Sequence, residues 1–233
     1  MLPSIVTSNG ASTLFLVLVF VVIPMGALGS TRRLRAIVEL DHGLTDAERR
    51  ALWTSTIFVQ MVLYGLAWLA ARSLGFEFFT APRLDLRDWM AAGIAMVFCL
   101  GLLKVSNAIR SDEERKSLLV NQLVPRRHRE WMLWGLVCLA AGVAEEAAYR
   151  GVTMEILQSG FGNPLVAALA SSFAFALAHS AQGWKSGVVI FFMALIMHGL
   201  VALTGTLVLA MLVHALYDLA AGWLISRQVR VAR

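Results

Sequence analysis

Glu145, Glu146, Arg150, His179, His198, His214 and Asp218 all lie in strongly apolar stretches of the second half of the chain. Ionisable groups at membrane depth are costly and usually mark function. Adjacent residues on an α-helix point about 100° apart, so Glu145 and Glu146 serve different surroundings. Glu146 and Arg150 are four apart, share a face and suit an internal ion pair. That leaves Glu145 without a local partner, and a carboxylate desolvated in this way is a candidate general base. Phe175 precedes His179 by one turn and would wall a pocket beside it. His214 and Asp218, again four apart, share a face on which Asp218 can accept from the imidazole or orient it. His198 has no evident partner and ranks below the other two histidines. The bland alternative is a set of buried polar pairs that only hold helices together; the clustering in consecutive apolar stretches favours function.

Two chemistries fit these residues. In one, Glu145 activates a water while the histidines donate protons or hydrogen bonds to the developing oxyanion. In the other, Glu145, His179 and His214 are candidate ligands for a metal such as zinc, which would lower the pKa of its bound water. Other hydrolytic schemes lack their parts. No His-Glu-x-x-His helix is present, a paired-aspartate mechanism lacks its second membrane Asp, and Ser171, Ser172 and Ser180 have no Gly-x-Ser-x-Gly setting.

Such side chains need helices to hold them. Of the 233 residues, 58% are hydrophobic and 15% charged, whereas soluble domains carry roughly 45–50% and about 25%. Apolar stretches near 11–29, 52–74, 88–105, 131–157, 164–180, 187–204 and 206–226 approach the ~20 residues a spanning helix needs. The expected fold is therefore all-α: a polytopic membrane helix bundle of about seven transmembrane helices with a polar intramembrane cavity in its C-terminal half. Three divisions are expected: N-terminal helices and cytoplasmic loops over 1–130, a core carrying the chemistry over 131–225, and a basic tail over 226–233. Arginines 32, 33 and 35 follow the first span and no Lys or Arg precedes it, which argues for a retained helix rather than a signal peptide. The remaining basic residues concentrate in the 30–51 and 106–130 loops and at Arg227, Arg230 and Arg233, against Arg72, Arg83, Arg87 and Arg150 opposite. The positive-inside rule then places the N-terminus outside and the C-terminus inside. The net charge of +5 is spread over loops rather than gathered on one folded surface, which argues against a nucleic-acid partner. Cys99 and Cys138 read as buried thiols.

In order and spacing, Glu145-Glu146-x-x-x-Arg150-Gly151, Phe175-x-x-x-His179 and Thr204-Gly205-Thr206-Leu207 leading into His214-x-x-x-Asp218 resemble the CPBP family. That family comprises the type II CAAX prenyl endopeptidases and the bacterial bacteriocin-processing and immunity (Abi) proteins. The resemblance covers about residues 131–225. It implies an eight-helix or similar membrane fold with a conical polar cavity, a bacterial cytoplasmic-membrane location, and cleavage of a membrane-embedded or lipidated peptide at the bilayer. By the same resemblance Glu145 would activate water with support from Glu146, and His179 would be the second acid/base group. His214 and Asp218 would stabilise the oxyanion, and Arg150 would anchor the Glu-bearing helix. The eukaryotic enzymes carry Asn where this chain has Asp218, and small residues are more usual at the position of His198. Against a peptidase stand a non-catalytic immunity or scaffold protein that binds a partner transmembrane segment, and a proton-coupled transporter, for which no inverted repeat is visible.

Overall fold

Local signals in the sequence set the helix boundaries. The structure is a computed structural model that describes residues 10–40, 43–79, 83–179 and 182–231; Ser180 and Arg233 lie outside the described residues. Helix α1 covers Gly10–Glu39 and includes a π turn at Leu18–Val22. Helix α2, Asp46–Leu74, starts at a capping box in which Thr45 and Glu48 satisfy each other's backbone N–H groups. Helix α3, Leu86–Ala108, starts at the equivalent pair of Asp85 and Asp88. Helix α4 runs over His128–Phe161, and α5, Pro164–Ala178, is opened by the Asn163 side chain with Pro at its first position. Helices α6, Trp184–Thr204, and α7, Leu207–Arg230, are joined by a tight turn. There Gly205 takes φ +66° and closes onto the Val201 carbonyl, and Thr206 accepts from the Val208 N–H.

Among the described residues, six of these helices are long and apolar enough to cross a membrane, and none forms a strand. The expected span 164–180 corresponds to α5, which at 15 residues is shorter than a full crossing. The exposed surface of the long helices is apolar, as with Phe58, Met61, Val97, Phe98 and Leu203, and it is lipid that such surfaces fit. Neighbouring helices run in a ring α1–α2–α4–α7–α3–α6–α5, with α5 returning to α1. The second half of α4 enters that ring and touches α2, α5, α6 and α7. Much of the core around it is Ala and Gly, which lets backbones approach closely. A Cβ on Gly142 would stand 2.8 Å from the Met211 carbonyl oxygen, so α4 and α7 touch almost backbone to backbone beside His214.

Polar struts tie down the ends of these helices. Arg49 on α2 is fully buried and pairs with buried Glu130 at the start of α4, 2.8 Å away. The same carboxylate accepts from the Arg126 and Arg127 N–H groups. Trp53 donates to the Leu123 carbonyl and Ser226 to that of Pro125. The 106–130 segment, with its short helices Asp112–Lys116 and Val120–Leu123, is thus docked on the bundle.

Candidate active site

Helix α4 is 34 residues long, about 50 Å at 1.5 Å per residue, and therefore overhangs a ~30 Å hydrocarbon layer. Glu145 sits near its middle. Immediately after Glu145 the helix changes to π geometry over Glu146–Thr153. Such segments leave carbonyls out of the α pattern and recur at functional sites. Here Ser171 of α5 donates to the Tyr149 carbonyl at 2.8 Å, tying the π segment to its neighbour. All eight residues of the segment are buried.

The cluster is held together by Glu146. Its Oε1 accepts from His214 Nδ1 at 2.7 Å and lies 3.2 Å from Arg150 Nη1. The Arg150 contact is an ion pair without hydrogen-bond geometry. The Arg150 guanidinium also lies 4.4 Å over the Phe175 ring, a cation–π contact. With Nδ1 engaged, His214 turns Nε2 toward two further carboxylates, Asp218 at 3.6 Å and Glu145 at 3.8 Å. Helices α4 and α7 thus bring Glu145, Glu146, His214 and Asp218 together.

His179 follows the last residue of α5. Its Nδ1 lies 2.8 Å from the Phe175 carbonyl oxygen, and because a carbonyl only accepts, Nδ1 carries the hydrogen. That leaves Nε2 as the basic nitrogen in the neutral ring. Phe175 stands between the two imidazoles, 4.6 Å from the His179 ring and 6.2 Å, edge-on, from that of His214. The expected aromatic wall is therefore a spacer between His179 and the α4–α7 cluster. His198 is buried on α6 with its Nε2 unpartnered.

Two pairings go beyond the sequence reading. Glu145, which has no local partner, is met from α2 by Gln60, which donates its amide N–H to Oε1 at 2.6 Å. Sequence spacing misses this because the two are 85 positions apart; the available signal was a lone amide in the apolar stretch of α2. The second concerns His214, whose hydrogen bond goes to Glu146 rather than to Asp218 on its own helix. Among the described residues no three His, Cys, Asp or Glu side chains are grouped to hold a metal ion, the set of Glu145, His179 and His214 included.

Fold and site together define a polytopic integral membrane protein with an acid/base cluster within its helix bundle. Residues 127–220 match the family model described as type II CAAX prenyl endopeptidase Rce1-like, and the matched segment contains every residue of the cluster except Gln60. The match supports the CPBP/CAAX protease family for this chain. Comparison with the curated proteins and with the solved structures gives no match.

Proposed function

We propose that this chain is an intramembrane endopeptidase that hydrolyses a peptide bond in a membrane-associated substrate, with Glu145 activating the water. The observation that carries the reading is the different use of the two adjacent glutamates. Glu146 is fully buried and committed to Arg150 and His214. Glu145 is tethered through one oxygen only, and its Oε2 faces the space toward His214 Nε2. One carboxylate builds the site and the other is free to take a proton.

In the reaction, Glu145 takes a proton from water as the water oxygen attacks the substrate carbonyl carbon. His214, oriented by Glu146 through its Nδ1–H and by Asp218 beside its Nε2, acts as an imidazolium whose Nε2–H donates to the developing oxyanion. His179, fixed through the Phe175 carbonyl, takes that proton from Glu145 at its Nε2 and passes it to the leaving amine nitrogen. Cleavage of the C–N bond then gives a carboxylate and an amine. A membrane-embedded or lipidated peptide is the substrate class this location suits.

The test is cleavage of a library of transmembrane and lipidated peptides by detergent-purified protein, wild type beside Glu145→Gln, each with and without chelator. Cleavage by wild type alone, unaffected by chelator, is the expected result. Cleavage that stops with chelator would replace the glutamate-only route by a metal-assisted one. A Glu145→Gln protein that retains the wild-type effect in cells would point instead to a non-catalytic immunity or scaffold protein.

A further inference from the structure

Gln60 lies outside the segment that matches the endopeptidase family, on a helix whose sequence offers no motif. Between Ile57 and Ala71 its only polar company on α2 is the Tyr64 hydroxyl and the Trp68 indole. Burying an amide there is costly unless it is paired. Its nitrogen is spent on Glu145 Oε1 at 2.6 Å. Its oxygen is buried and has no hydrogen-bond partner. The unfilled acceptor therefore sits on a side chain whose other end already grips the carboxylate that takes the water's proton.

Resting on the peptidase reading above, we infer that Gln60 is a positioning residue of the active site, which acts on the reaction through Glu145 by fixing the direction of its carboxylate. The N–H donor fixes Glu145 so that Oε2 points toward His214. One water hydrogen then passes to Glu145 Oε2 as the water oxygen attacks the carbonyl carbon. No atom of Gln60 changes its bonding in the step. The charged and titratable groups around this amide and the paired glutamates are Glu145, Glu146, Tyr149 and Arg150 on α4, His198 on α6, His214 and Asp218 on α7, and His179 at the end of α5.

The experiment compares wild type, Gln60→Met, Gln60→Glu and Glu145→Gln for kcat, KM and thermal unfolding in detergent. Methionine keeps length and volume but neither donates nor accepts strongly. Gln60→Met is expected to lower kcat by about 10- to 100-fold, the loss of one hydrogen bond to a charged group, with KM within about twofold of wild type. Gln60→Glu keeps the shape and supplies the donor only when its own carboxyl is protonated. Its activity is expected to be low near neutral pH, to rise as the pH falls until the two facing carboxyls share one proton, and to fall again once Glu145, the base, is protonated as well. A Gln60→Met protein with wild-type kcat overturns the inference, and so does one that loses only thermal stability, since a strut between α2 and α4 would do no more. Wild type that cleaves nothing, or Glu145→Gln that cleaves as wild type does, overturns the peptidase reading and the inference with it.

Discussion

Gly142→Ala is the sharpest probe of how the site depends on helix separation. The new Cβ would meet the Met211 carbonyl oxygen at 2.8 Å and both Cβ and N of Ala215 at 3.1 Å. Ordinary carbon–oxygen contacts begin near ~3.3 Å, so α7 must retreat by roughly half an ångström. His214 precedes Ala215 and moves with it. Its bond to Glu146, now 2.7 Å, would open to about 3.2 Å, the limit for N–H···O bonds. A misplacement of about 1 Å costs on the order of 100-fold in rate, so about half that distance should cost roughly 10-fold in kcat. Overpacking should also remove about 1–3 kcal/mol of stability. The assay is peptide cleavage together with unfolding in detergent. Gly135→Ala on the same helix serves as control, because nothing lies within 4 Å of its Cβ. Wild-type kcat from a folded Gly142→Ala protein would refute the argument that backbone contact between α4 and α7 sets the site.

Two further outcomes are expected. Arg150→Met leaves the fully buried Glu146 carboxylate without its cation, a loss of about 3–5 kcal/mol that unfolding in detergent would show; an unchanged unfolding midpoint would contradict the pairing. At the surface, the Lys185 ammonium donates to Glu114 at 2.8 Å and holds its carboxyl below the ordinary value. Because the folded value is the lower one, this tie is complete above the ordinary carboxylate range and is lost as pH falls through the lowered value. Hydrogen exchange across Asp112–Lys116, corrected for intrinsic rates, should quicken between about pH 6 and about pH 3, and Lys185→Gln should reduce the difference, leaving the part due to the Ser111 N–H bond to Glu114.

What the sequence made legible was local. The apolar runs gave the helices, and the i, i+4 spacing put Glu146 beside Arg150 and His214 beside Asp218, as the structure finds them. Pairings between helices were not legible, because spacing along one helix says nothing about what packs across from it. His214 therefore bonds Glu146, Gln60 reaches Glu145 from α2, and Arg49 is buried against Glu130 within a stretch that reads as solvated loop charge. The π segment was hidden for a related reason: Glu146–Thr153 has ordinary helix-forming composition, and the change of pitch follows from what surrounds it.

Helix α5 carries a consequence for the bilayer itself. At 15 residues it spans about 22 Å, some 8 Å less than a ~30 Å hydrocarbon layer. Its exposed side chains Leu165, Val166, Leu169 and Phe173 form one stripe that faces outward. Lipid resting on that stripe must thin to match it, at fractions of a kcal/mol per Å. With α5 set in a bilayer, such a patch would lie along the helix that ends at His179. Hydrolysis consumes a water for every bond broken, and a dimple in the membrane beside α5 would bring that reagent close to a site otherwise surrounded by oil.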